Sequence, residues 1–207
     1  MRLLFKAPQS PLSKKETAVK QAKLFGLEED PAVLTSLDHA KAQAVAIRIQ
    51  ERIKPLCDKL KIVGSIRRKK PQVGDIDFVA LASDGNWDKI AAALKKSQVI
   101  CQGPSLIKLN YPVEGGFFQV DFYRATPKTF GIQELIRTGS ADHNMWLAGY
   151  ALSKGYRLKY STGLMKDEIA VAGETEESVF SALGIPCSEP QQREVINGSP
   201  IWLKSSP

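Results

Sequence analysis

From about Ser36, apolar residues recur at spacings of three and four: Val45, Ile49, Ile53, Leu56 and Leu60. That period predicts a helix with one buried face. Pro55 lies inside the run and predicts a kink or split, because proline lacks the N–H that a helix interior uses. Lys61-Ile62-Val63 then reads as a short strand ended by a turn at Gly64-Ser65. The stretch Asp75 to Leu81 alternates and then turns wholly apolar, as a strand entering a core does. Trp87, Ile90 and Leu94 mark another helix. Leu106 to Tyr111 and Phe117 to Tyr123 flank Pro112-Val113-Glu114-Gly115-Gly116 and predict a hairpin. Beyond about Arg124 the pattern becomes helical. One helix is expected from Asn144 to Lys154 with Gly155 as its stop, and one from Glu174 to Leu183 stopped by Gly184. Prolines 186, 190, 200 and 207 predict a tail that wraps the surface. Residues 1–35 are basic and broken by Pro8, Pro11 and Pro31, with one short helix near Lys14 to Phe25.

These elements predict an α+β chain: an extension over 1–35, an α+β lobe over 36–127, and a smaller, mainly helical lobe over 128–207. The chain has 207 residues, of which 29 are Lys or Arg and 22 are Asp or Glu, for a formal net charge of +7. The surplus favours a polyanionic partner, because lysines and arginines that neutralise phosphates release condensed counterions. Cys57, Cys101 and Cys187 are too scattered for a zinc site or a disulfide framework and suit a reducing compartment. No apolar run approaches the roughly 20 residues of a membrane span, and the N-terminus has no signal-peptide pattern. A soluble intracellular protein is therefore expected.

The stretch from Gly64 to Phe78 carries the chemistry. Asp75 and Asp77 stand two apart on a strand, so both carboxylates point to one face. Like charges that close repel, and a hard divalent cation such as Mg²⁺ resolves the conflict while sharing a phosphate oxygen. Gly64-Ser65 offers backbone N–H groups and a hydroxyl to a phosphate. Arg67 and Arg68 add guanidinium forks that match phosphate oxygens, and Gly74 leaves room for close approach of a ligand. Asp121, between Val120 and Phe122 on the second hairpin strand, needs either solvent or a charged partner. Beside Asp75 and Asp77 it reads best as a third metal ligand. His39 and His143 lack a second ligand at helical spacing, and a surface or helix-cap role is expected for each. Trp87 and Trp146 sit at core-facing positions.

In order, the chain presents Gly64-Ser65, Arg67-Arg68, Gly74-Asp75-Ile76-Asp77, Asp121 and Thr138-Gly139-Ser140. Asn144 follows in the next helix, then Lys154-Gly155-Tyr156, and finally Glu176-Glu177-Ser178-Val179-Phe180 to Pro190 and Arg193. Over about 36–193 this set resembles the family X DNA polymerases, the group that includes DNA polymerase beta. The resemblance implies a nucleotidyltransferase palm with a mixed sheet over 36–127 and a thumb-like lobe over 128–207. It implies two Mg²⁺ ions, replaceable by Mn²⁺, held by Asp75 and Asp77, with Asp121 completing the site of the primer 3′ hydroxyl and accepting its proton. Ser65 and Arg68 would hold the β and γ phosphates, and Arg67 would stand behind the metal carboxylates. Thr138, Gly139 and Ser140 would form the turn beneath the incoming sugar, with Asn144 reaching its base. Lys69, Lys70 and Lys108, with Lys95 and Lys96, are candidate contacts to DNA phosphates.

The implied activity is DNA-directed DNA synthesis at a 3′ end, for short gap filling or repair, by a monomer acting on primer-template or gapped DNA and a dNTP. A template-independent terminal transferase, or another nucleotidyltransferase, would keep the same site. A catalytically silent nucleic-acid-binding module is the alternative of another class, and the intact acid trio speaks against it. The short stretch before the palm resembles the minimal members known from some viral genomes, without a lyase domain, and makes a viral or phage source an expectation. Gln119 stands where relatives often have a basic residue, and Ala141 then Asp142 follow the turn where many have an acid directly. Ile136 and Arg137 precede Thr138 where the family usually has an aromatic. Because the shape of this turn excludes the ribose 2′ hydroxyl, weaker rejection of ribonucleotides is expected than in typical members. Matched dNTP and rNTP incorporation assays check this, and strong dNTP preference refutes it.

Overall fold

The computed structural model describes residues 32–196 and 198–202. The helix expected near Lys14 to Phe25 lies outside them. Strand β1 (Leu37–Asp38) opens the described chain and pairs with β3 (Gln72–Val73). Helix α1 (His39–Ile53) starts where the Asp38 carboxylate accepts the Lys41 N–H at 2.9 Å. It buries Ala42, Val45, Ala46, Ile49 and Ile53, the face that the periodicity predicts. Pro55 ends the helix rather than kinking it. The chain passes through a 3-10 turn at Lys54–Leu56 into β2 (Lys59–Ile62), so Leu60 belongs to a strand.

Five strands form one mixed sheet in the order β2-β4-β7-β6-β5, with β4 (Ile76–Leu81), β5 (Gln98–Gln102), β6 (Leu106–Val113) and β7 (Gly116–Ala125). Only β4 and β7 run parallel. Strand alternation sends Ile76, Phe78 and Ala80, with Val120 and Phe122, into one core beneath α1. Phe78 and Phe122 are register partners whose rings stack at 4.9 Å. Short helices α3 (Asp84–Trp87) and α4 (Lys89–Ala93) close this core with Trp87 and Ile90. A one-turn helix α2 (Gly64–Arg67) occupies the predicted Gly-Ser turn. The hairpin is longer than its pattern suggests: Pro112 pairs with Phe117 inside the strands, and only Glu114 and Gly115 form the turn. Pro112 lies past Asn110, the last β6 residue paired with β5, so its missing N–H costs no ladder bond. Strand β5 carried no legible signal, being an exposed edge with no buried face.

Beyond β7, helix α5 (Phe130–Thr138) packs over β4, and α6 (Ala141–Ser153) and α7 (Glu176–Ala182) complete the helices. Strands β8 (Arg157–Lys159), β9 (Gly163–Lys166) and β10 (Ile169–Ala172) form a small antiparallel sheet that the helical periodicity does not announce. Ile132, Leu135, Leu147, Leu164, Val179 and Phe180 make a second core. The proline-rich tail is more than a wrapping: Trp202 is buried in that core against Phe180, Trp146 and His143. His143 is accordingly fully buried rather than at the surface or capping, whereas His39 opens α1 and donates from Nδ1 to the Lys70 carbonyl at 3.1 Å. Trp87 is buried as expected, and Trp146 is partly so, stacked on Tyr150. No helix among the described residues is long and apolar enough to cross a membrane.

Gly131 is where α5 and the approach to α7 touch. A Cβ there would lie 2.2 Å from the Thr175 backbone. Gly131→Ala is therefore expected to destabilise the fold by about 2 kcal/mol or more, since rigid backbone cannot yield to an added methyl. Thermal unfolding checks this, and an unchanged melting temperature contradicts the packing.

Candidate active site

The register of the sheet brings the acids together. Asp77 on β4 and Asp121 on β7 are Cα partners across the parallel pair, so their side chains leave the same face side by side. Asp75 lies one residue before β4 and shares that face with Asp77 by strand alternation. One carboxylate oxygen from each of Asp75, Asp77 and Asp121 lies within 4.8 Å of the others. Asp121 is 2% exposed, so its charge is not simply solvated. Its Oδ2 faces the Lys108 ammonium at 3.2 Å and accepts the Tyr123 hydroxyl at 3.2 Å. Its Oδ1 is buried without a hydrogen-bond partner among the described residues.

The electrostatics follow from this crowding. Burial, then the charges of Asp75 and Asp121, push the Asp77 pKa up from 3.8 to about 7, against the pull of Arg137 and Arg68. Burial first and Asp121 second also raise Asp75. Burial and the neighbouring acids likewise raise Tyr123, which stays a neutral donor. Three hard oxygen donors, one with an orphaned buried oxygen and two resisting ionisation, form a set that a hard divalent cation satisfies. A glycine at 64 is obligatory for this arrangement. Its φ is +65°, and a Cβ there would stand 2.1 Å from Asp77 Oδ2.

Of the expected phosphate and sugar residues, Arg68, Thr138 and Gly139 lie against one another. Ser65 Oγ and Arg68 Nε are buried without a hydrogen-bond partner among the described residues. Arg68 donates from Nη1 to the Thr138 carbonyl, tying α2 to the turn at 138–140. Desolvation lowers the Arg68 pKa, against the pull of Glu194, Asp77 and Asp75. Ser140 caps α6 by accepting the His143 N–H at 3.3 Å and donates to the Arg193 carbonyl at 2.9 Å. Gly139 faces Arg68, whose Nη1 would lie 3.1 Å from a Cβ at 139. Asn144 does not stand free: its amide donates to the Ile136 carbonyl at 2.8 Å. Gly74 is exposed, and an added Cβ would meet only the Thr35 carbonyl, at 4.0 Å. Lys69 is exposed, Lys70 pairs with Glu194, and Lys95 and Lys96 are exposed beyond α4.

Arg67 sits elsewhere than expected. Instead of backing the metal carboxylates, its guanidinium forks onto Glu176 at 2.7 Å through both Nη atoms and donates to Thr138 Oγ1 at 2.7 Å. Glu134 adds a contact at 3.2 Å, and the fully buried Arg193 grips the opposite side of Glu176 at 2.7 and 3.0 Å. Burial opposes ionisation of Glu176, but the hydrogen bonds of Arg67 and Arg193 win and hold its pKa at about 2. Sequence reasoning assigned Glu176 and Arg193 no role, and no local signal shows that two residues 17 apart share a buried ion pair. The absent basic residue at 119 is offset from another strand: Lys108, the register partner of Asp121, supplies the cation.

A mixed sheet with an acid trio on its parallel pair, followed by a lobe of helices and a small antiparallel sheet, has the layout of a polymerase beta-like fold. Residues 135–194 match the family model described as DNA polymerase beta thumb. A ternary P/T complex of Leishmania infantum polymerase beta superposes with a TM-score of 0.67 at 21% identity, covering 90% of this chain and 84% of that one. A ternary gap complex of the same polymerase gives 0.65 at 19% identity, covering 77% and 71%. No curated protein matches the chain. In fold the chain is similar to polymerase beta, and over residues 135–194 its sequence matches the polymerase beta thumb.

The raised Asp77 pKa has a consequence for stability. Its folded value of about 7 lies above the ordinary 3.8, so in metal-free protein its contribution is full below pH 3.8 and is lost as pH rises through 7. Denaturant unfolding in a chelator at pH 4, 6 and 8 is expected to show that loss in the native chain and a shallower one in Asp77→Asn. Parallel pH profiles for the two contradict it.

Proposed function

We propose that the chain is a DNA-directed DNA polymerase that adds dNMPs to a DNA 3′ end, using two divalent ions, in short gaps. The observation that carries the reading is the clustering of Asp75, Asp77 and Asp121 across the parallel strands, with Ser65 and Arg68 beside them. The thumb match and the DNA complexes of the similar Leishmania polymerase support DNA as the partner. The net charge of +7 suits it as well.

Asp75, Asp77 and Asp121 would hold the ions, with Asp75 and Asp77 shared between them. Bound there, Mg²⁺ or Mn²⁺ supplies acidification of the 3′ hydroxyl and neutralisation of the triphosphate charge. Asp121 accepts the proton of the 3′ hydroxyl. The 3′ oxygen then bonds to the α-phosphorus as the bond to the bridging oxygen breaks, and pyrophosphate leaves with the electron pair. Ser65 and the free N–H of Arg68 bind the leaving phosphates, where donors fixed in advance act most strongly on developing charge. The turn at 138–140, braced by Arg67 and Arg68, seats the sugar. Lys69 is the nearby lysine best placed for DNA phosphates, since Lys70 is engaged with Glu194 and Lys108 with Asp121.

Purified protein with Mg²⁺ or Mn²⁺ is expected to fill a one-nucleotide gap with the complementary base. Equal extension of a bare single strand would instead identify a terminal transferase. Asp121→Asn is expected to abolish turnover while nucleotide binding persists. Arg68→Ala is expected to weaken nucleotide binding by about 1.5–3 kcal/mol, the worth of a charge-assisted hydrogen bond. Near-normal turnover in the first variant, or unchanged affinity in the second, removes that residue from its role.

A further inference from the structure

Asp121 is anchored through one oxygen only. Oδ2 receives the Tyr123 hydroxyl and faces the Lys108 ammonium, each at 3.2 Å, while Oδ1 has no partner among the described residues. A carboxylate tied through one oxygen presents the other in a set direction, so whatever fixes Tyr123 fixes Asp121. The two anchors differ in kind. Lys108 is a charge that a bound cation competes with, and its side chain is 32% exposed, free to swing away. The phenol is an uncharged donor two residues along β7, on the same face as Asp121, and a cation does not displace it.

The Tyr123 ring is fixed from outside its own strand. The guanidinium carbon of Arg137 lies 3.8 Å from the ring centroid, well within cation–π range. Arg137 is itself located by its Nε–H, which donates to Gln133 Oε1 at 3.4 Å, one turn back on α5, and by Tyr160 at 5.6 Å. The residue after Arg137 is Thr138, the start of the turn that Arg67 and Arg68 both grip. Two side-chain contacts thus connect the end of α5 to the third acid.

We propose that Tyr123 and Arg137 are positioning residues, a relay that couples the turn at 138–140 to the direction in which Asp121 presents its free oxygen. The relay rests on the metal-site reading of the three acids. It makes the position before Thr138 a determinant of ion binding on the palm, a role distinct from shaping the sugar pocket.

The test titrates the full chain with Mn²⁺ in the absence of nucleotide, following free ion by electron paramagnetic resonance. Tyr123→Phe keeps the ring and loses the hydroxyl, and is expected to weaken Mn²⁺ binding about tenfold. Arg137→Ala is expected to give a similar loss and Arg137→Lys to recover most of it. The double variant Tyr123→Phe/Arg137→Ala is expected to bind no more weakly than Tyr123→Phe alone, because both changes position Asp121 through one hydroxyl and removal of the Arg137 charge, which pulls on Asp77, only favours a bound cation. Melting temperatures are read alongside. A lowered melting temperature with unchanged Mn²⁺ affinity overturns the relay, as do losses that simply add, or a native chain that binds no Mn²⁺. Gap filling by the native chain is scored separately. Synthesis with Mn²⁺ affinity indifferent to both positions keeps the polymerase reading and overturns the relay; the expected affinity pattern without synthesis does the reverse.

Discussion

Three carboxylates within 4.8 Å of one another repel, and most of what surrounds them serves to sustain that crowding. Parallel strands β4 and β7 place Asp77 and Asp121 opposite each other by register, which leaves no rotation by which the backbone could separate them. The face behind them is stiff: Phe78 stacks on Phe122, and both are fully buried beneath α1. A core of that density does not stretch to relieve the charges. Relief comes instead from cations on three other elements, Arg68 after α2, Lys108 on β6 and Arg137 on α5, and from the partial reluctance of Asp77 and Asp75 to ionise. A divalent ion bound there would reverse that reluctance, which would couple ion binding to the integrity of the site.

The thumb reaches the site through charge as well as packing. Glu176 sits between Arg67 of the palm and Arg193 of the tail, with bidentate geometry on both sides. Buried carboxylates are tolerable only with such full pairing, and loss of either arginine would leave an uncompensated charge. The same Arg67 holds Thr138, and Arg193 offers its carbonyl to Ser140. The turn at 138–140 is therefore braced by the network that locks the thumb, which gives the polymerase reading a structural basis for linking thumb position to the site. His143 belongs to this interior too. Burial, then the nearby Arg193 charge, lower its pKa to about 4 and keep it neutral among Phe180 and Trp202.

Much of the palm was legible because its elements are locally periodic. The helical face of α1, the alternating β4 and the hairpin β6–β7 each declare themselves within a dozen residues. Edge strands β5 and β10 did not, since a strand with exposed faces has no alternation to read, and the central β9 is four residues long and buried over its first three. Pro112 misled for a related reason: a proline is excluded from a strand only where a neighbour needs its N–H, and β5 stops short of it. His143 reads as a polar residue in a helix and becomes interior only because Trp202 returns from the tail to cover it.

By itself the sequence determined that Asp75 and Asp77 share a face and that Asp121 needs either solvent or a charged partner. These are consequences of strand period and of the cost of burying a charge, and they act over a few residues. The tertiary structure alone decided that Lys108 and Tyr123 take Oδ2 of Asp121, and that Arg67 turns to residues 71 and 109 positions away rather than to the acids. Arginines adjacent in sequence reach different partners because one turn of helix points them apart. Which acid each one meets depends on where the returning chain sets its charges, and no local period encodes that.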